Sequence, residues 1–144
     1  MFVVDTNVLL HGIDAASPYH GRCRKRLEEW VSGAPSWYIT WPIAYEFLRV
    51  STHPRVLRQP LSLRQAWDFI TTLLEASSLS VLVPTARHAE VAEKVFSEAP
   101  ELRSNILHDA ATAVLMREHG IRTIMTRDTD FHRFPFLEVI DPVH

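Results

Sequence analysis

The chain has one cysteine, Cys23, four glycines and only two lysines, Lys25 and Lys94, among its 144 residues. A lone cysteine excludes an internal disulfide and any cysteine-based zinc cluster, and Cys23 is expected as an ordinary member of a helix face. So little glycine beside a hydrophobic content of 47% argues against a disordered or fibrous chain. No apolar run approaches the roughly 20 residues of a membrane span. The N-terminus lacks the basic flank and apolar segment of a secretion signal, so a cytoplasmic protein without membrane contact is expected. This length suits one domain, residues 1–144, with a substantial core.

What is present begins with Phe2-Val3-Val4-Asp5-Thr6-Asn7. An apolar run of strand formers stops at an acid, which reads as a central strand of a parallel sheet. In open α/β sheets the chemistry lies beyond the carboxyl ends of strands, where Asp5 stands. Two roles are open to Asp5: a helix cap or a site carboxylate. Further along, Trp37–Thr40, Leu79–Val83, Thr123–Thr126 and Leu137–Ile140 read as strands. Helices are expected over 8–13, 19–32 after Ser17-Pro18, 43–52 after a Trp41-Pro42 turn, 62–76 with Ser62 as cap, and 86–99 with Thr85 as cap. Another follows Asn105 and stops at Gly120, while Gly33-Ala34-Pro35 ends the second helix. The alternation predicts βαβ units: an α/β fold with three α/β/α layers around a mostly parallel sheet.

Three further places deliver acids to that sheet edge. Glu46 lies within the apolar segment Ile43–Val50, where an unpartnered carboxylate is rare; a solvent-facing position or a salt bridge to Arg49 is the alternative. Asp109 falls near a helix start, a position favourable to acids, but Ala110, Ala111 and Ala113 make that helix narrow and close to the sheet. His108, about 100° around from it, reads as a packing or surface histidine. Asp128 and Asp130 follow the strand 123–126. Both are turn formers; Asp128 repeats the position of Asp5, and Asp130 is a candidate cap for the segment beyond.

Carboxylates gathered at one edge repel one another unless protonated or offset by hard cations. Mg²⁺ or Mn²⁺, which prefer oxygen ligands, suit such a set, and no histidine pair or cysteine group competes as a zinc site. The fitting reaction is metal-assisted phosphodiester hydrolysis. Net charge is −2; with Asp5, Glu46, Asp109, Asp128 and Asp130 set aside as a neutralised cluster, the rest carries +3. That permits a polyanionic substrate without demanding one. Arg22, Arg24, Lys25, Arg26, Arg55 and Arg127 are candidates for phosphate contacts, with solvated surface as the simpler role of the cluster at 22–26. Trp37 and Trp41 offer stacking faces, core packing being the default for both.

Val4-Asp5-Thr6-Asn7-Val8-Leu9, Glu46 after the second strand, His53-Pro54-Arg55-Val56, Asn105 with His108-Asp109-Ala110, and the run from Thr126 to Pro135 together resemble the PIN-domain nucleases, in particular the VapC-type ribonuclease toxins. Each piece is weak, but the ordered set spans nearly the whole chain. The resemblance implies an endoribonuclease in which Asp5, Glu46, Asp109 and Asp128 form an acidic quartet for Mg²⁺ or Mn²⁺. Asp5, Asp109 and Asp128 would be the ligands; Thr6, Thr126 and Asp130 would support them. It also implies an RNA substrate, a homodimer and a cognate antitoxin. The alternatives are an RNA-processing or DNA-directed nuclease of the same fold, a phosphatase-like hydrolase suggested by Asp128-x-Asp130, and a non-catalytic RNA- or antitoxin-binding scaffold. The last predicts a broken acidic set, whereas every position here is filled.

Overall fold

Phe2–Val4 forms β1, buried at every position. Its neighbours explain why the run is apolar throughout: it pairs in parallel with β2 (Trp37–Thr40) on one side and β4 (Thr123–Met125) on the other. β3 (Leu79–Leu82) and β5 (Glu138–Ile140) add in parallel at the two edges, giving the order β3-β2-β1-β4-β5. The sheet is thus wholly parallel. The structure, a computed structural model, describes residues 1–33 and 35–144. Ala34, within the breaker at 33–35, lies outside the described residues.

The connecting helices are α1 (Thr6–Ile13), α2 (His20–Ser32), α3 (Trp41–Ser51), α4 (Leu63–Leu74), α5 (His88–Glu98) and α6 (Ile106–Glu118). Strand order runs outward from β1 to β3, then jumps back across β1 to β4. Right-handed crossovers therefore place α1–α4 on one face and α5–α6 on the other. The reversal leaves a crevice between the carboxyl ends of β1 and β4.

The core is dominated by Trp37, Phe47, Leu9, Ile39, Met116 and Ile124, all buried. Trp30 on α2 bridges Phe2 and Trp37, with ring centroids at 5.0 and 6.1 Å, and Cys23 on the same helix is buried. A Cβ at Gly12 would meet Leu27 Cδ1 at 2.5 Å, so a side chain there would have to displace the Leu27 tip packed between α1 and α2. Gly120, at φ +70°, follows α6.

Several helix starts differ from expectation. The first helix begins at Thr6, because Asp5 caps it. Trp41 and Pro42 lie inside α3, whose cap is Thr40; proline is tolerated there because a first-turn N–H has no helical partner. Ser17 and Thr85 each accept a backbone hydrogen bond two residues on, from Tyr19 and Arg87, and form turns ahead of helices that start later. Ser62 caps α4 in a reciprocal capping box with Gln65, as its sequence suggests. Among the described residues no helix is long and apolar enough to cross a membrane.

Candidate metal centre

β1 hands the chain to α1 through Asp5, whose backbone N–H continues the ladder to Met125 O at 3.0 Å. The side chain is only 6% exposed. Its Oδ1 accepts from Thr6 N at 2.8 Å, so it is a cap. Its Oδ2 accepts from Thr126 Oγ1 and Asn7 Nδ2, both at 2.7 Å. One oxygen thus caps α1, and the other ties Asp5 to Asn7 and Thr126 at the sheet edge. Burial pushes its pKa up to about 6 against the pull of the Thr126 and Thr6 hydrogen bonds, and the charges of Glu46 and Asp128 add to the rise.

Thr126 ends β4 as a three-way junction. Its hydroxyl donates to Asp5 and accepts from Asn7 Nδ2 and from Asp128 N, both at 2.9 Å. Asn7 also accepts from Arg127 N through Oδ1 at 3.1 Å. Asn7 thereby locks the β1 and β4 ends together. On sequence alone Asn7 has no role beyond its place in the motif Val4–Leu9; its position directly after the Asp-Thr pair is the available signal.

Asp128, not Asp130, caps the 3-10 helix Thr129–Arg133, accepting from Asp130 N at 2.8 Å. The cap role expected of Asp130 thus falls to Asp128, whose extended backbone matches a cap. Glu46 on α3 accepts from Thr6 Oγ1 at 2.9 Å and lies 3.8 Å from Arg49 Nη2. The two readings of Glu46 thus coexist: at 44% exposure its side chain has a surface partner and a tether into the crevice.

Asp109, in the first turn of α6, is half-buried. Burial pushes its carboxyl up to about 7, reinforced by the charges of Asp5, Asp128, Glu46 and Asp130. Among the described residues no hydrogen-bond donor reaches that carboxylate. One oxygen each of Asp109, Asp128 and Asp130 lie within 4.8 Å of one another. An all-oxygen donor set in which burial and neighbouring acids raise Asp5 and Asp109 fits a hard divalent cation. The cleft is lined by Asp5, Glu46, Asp109, Thr112 and Ile43, together with Pro42, Tyr45, Arg49 and His108. Arg49 and Tyr45 escaped the sequence reading because their direction depends on how α3 is rotated against the sheet.

The basic candidates are placed elsewhere. Arg24 and Lys25 form exposed pairs with Glu28 and Glu29. Arg22 and Arg26 donate to the carbonyls of Val143 and Pro142 at 3.0 and 3.3 Å. Arg22, Lys25 and Arg26 line a separate cleft with the C-terminal residues. Arg127 pairs with Asp141 at 3.1 Å and lies 3.5 Å above the Tyr19 ring, committed to the fold. Arg55 is exposed in a turn. Trp37 is core and donates to Ser78, while Trp41 lies at the surface against expectation, since the helix begins at that residue.

The family model described as "PIN domain" matches residues 2–137, and the chain belongs to that family. It is 33% identical over 138 residues to Ribonuclease VapC48 of Mycobacterium tuberculosis, covering 96% of this chain and 94% of that protein. Ribonuclease VapC37 of the same organism is 31% identical over 134 residues, covering 93% and 92%. Among solved structures, VapC20 of Mycobacterium tuberculosis, a sarcin-ricin loop cleaving toxin, superposes with TM-score 0.70 at 23% identity over 98% of this chain and all of that one. VapBC2 of Rickettsia felis, bound to a promoter DNA fragment, gives 0.69 at 16% identity over 96% of each chain. At these identities the two structures share the fold, a PIN-like α/β/α domain.

Proposed function

We propose that this protein is a metal-dependent endoribonuclease and the toxin of a toxin–antitoxin pair. The single observation that carries the chemistry is the meeting of Asp5, Glu46, Asp109, Asp128 and Asp130 at one sheet edge, with Asp5 and Asp109 both raised in pKa. The curated relatives named as ribonucleases support RNA as substrate. The neighbouring toxin–antitoxin complexes support a protein partner that restrains the activity.

Asp5, Asp109 and Asp128 are the residues that would hold Mg²⁺ or Mn²⁺, with Asp130 beside them. The cation supplies charge neutralisation and Lewis acidity at the phosphate being cut. Thr126 and Asn7 keep Asp5 in one orientation, and Thr6 does the same for Glu46. Arg49 at the cleft wall offers the phosphate a cationic fork, a better-placed one than Arg22, Arg24, Lys25 or Arg26. Arg55 is free to contact a longer RNA. An RNA substrate supports a cytoplasmic location, and a homodimer completes the proposal.

The test is cleavage of single-stranded and structured RNA, and of DNA, with Mg²⁺, Mn²⁺ or EDTA beside an Asp5→Asn control. Metal-dependent RNA cleavage lost in Asp5→Asn is the expected result. Cleavage surviving in the variant would displace the site, and DNA cut in preference to RNA would change the substrate. Light scattering of the purified chain, alone and with the protein encoded beside it, checks the dimer and the partner.

A further inference from the structure

One of the four tryptophans stands at the surface, and a second is only partly buried. Trp30 and Trp37 are buried, but Trp41 is 37% exposed and Tyr45 on the next turn of α3 is 66% exposed. Trp41 and Tyr45 are four apart, so they share a face, and Arg49 continues the row one turn on. Their ring centroids lie 6.3 Å apart. Trp67 of α4 extends the row, stacked on Trp41 with centroids at 6.5 Å and planes 23° apart. Trp67 packs in part against the core, but Trp41 and Tyr45 leave ring faces open beside it, a contiguous apolar row that offers contact to an external occupant.

Its position identifies the occupant. Tyr45 precedes Glu46, and Pro42, Tyr45 and Arg49 line the same cleft as Asp5 and Asp109. A strand entering the cleft brings one phosphate to the carboxylates, which repel all its other phosphates. Neutral ring faces can hold the flanking nucleotides without adding charge, and such faces take bases only when those bases are unpaired. A second copy of the chain is less suited. Three part-exposed rings, at most about 150–250 Å² each, fall short of the roughly 800 Å² per partner of a stable interface.

We propose that Tyr45, Trp41 and Trp67 form a stacking shelf for unpaired nucleobases flanking the cut phosphate. The inference rests on the ribonuclease reading and adds to it the residues of this chain that would hold bases beside the cut phosphate. Trp41 and Trp67 report it directly, since stacking quenches their fluorescence.

The full chain is titrated with an unpaired RNA decamer in EDTA, following tryptophan emission, and KM and kcat are measured separately with Mn²⁺. The unpaired decamer should quench and its duplex should not. Tyr45→Ala should raise Kd and KM roughly 5- to 100-fold with kcat within about twofold, and Tyr45→Phe, which keeps the ring face, should restore both. Unchanged Kd and KM in Tyr45→Ala overturn the shelf while leaving the nuclease intact. A wild-type chain that quenches but cuts no RNA keeps the shelf and removes the nuclease. Sedimentation of Tyr45→Ala gives the remaining arm: conversion of a dimer to monomer, with RNA affinity lost only in step, assigns the row to a copy-to-copy interface and overturns the proposal.

Discussion

Asp109 and Glu118 stand at opposite ends of α6, and both carboxylates have been drawn away from water. The helix dipole favours an acid at the first and disfavours one at the second, by about 0.3–1 kcal/mol. Their titration runs the other way. Asp109 is pushed up to about 7 by burial and four neighbouring acids. Glu118, with a side chain 1% exposed, is held at about 2. Burial raises Glu118 too, but it accepts from the Thr85 hydroxyl, from His88 Nδ1 at 2.7 Å and from Thr85 N at 2.6 Å. Local donors outrank both burial and the macrodipole. One end of the helix is complete as folded; the other has been left short of positive charge.

The sharpest way to break this contrast is Asp109→Asn. Removing a like charge from the crowded end should raise the melting temperature of metal-free protein, while RNA cleavage with Mg²⁺ or Mn²⁺ falls roughly 100-fold or more. A variant that loses stability and keeps activity would reverse the assignment. Thr126→Val deletes the hydroxyl that donates to Asp5 and accepts from Asn7 and Asp128, and should lower metal affinity or turnover by about 10- to 100-fold, read by metal titration and initial rates.

At the complete end, Glu118→Gln keeps an acceptor for Thr85 but weakens the His88 contact. It should destabilise by about 1–3 kcal/mol in denaturant melts and leave cleavage per folded molecule unchanged. The wild-type contribution of Glu118 is present above about pH 4.5 and lost as pH falls through about 2, because its folded pKa is depressed. The smallest effect is the opposite slope at the other end. Between about pH 4 and 7 the folded, metal-free chain holds more protons at Asp5 and Asp109 than the unfolded chain, so stability falls as pH rises. Thermal melts from pH 5 to 8 should decline by several degrees, and Mg²⁺ or Mn²⁺ should recover most at the alkaline end.

The same contrast explains what the sequence made legible. Asp5, Glu46, Asp109 and Asp128 stood out because a strand end or an apolar helix is a conspicuous place for an acid. The strands were legible too, since β-branched and aromatic runs bounded by turn residues leave few alternatives. Glu118 was silent because its donors lie 30 and 33 positions away. The starts of α1 and α3 slipped for a local reason: Thr40 ends β2 and caps α3 at once, and Asp5 follows β1 directly as the cap of α1, which no periodicity reveals. Arg49, Tyr45 and His108 needed the rotation of α3 and α6 against the sheet, a property of packing.

The order of the strands carries a consequence for how the protein is made. Asp5 is fastened by Thr126, 121 positions later, and β1 gains its second neighbour only when β4 arrives. A nascent chain still tethered to the ribosome with β4 unsynthesised lacks Thr126, Asp128 and Asp130, whatever it already holds of Asp5, Glu46 and Asp109. Truncated and unfinished molecules therefore lack the complete set of acids on which the proposed function rests.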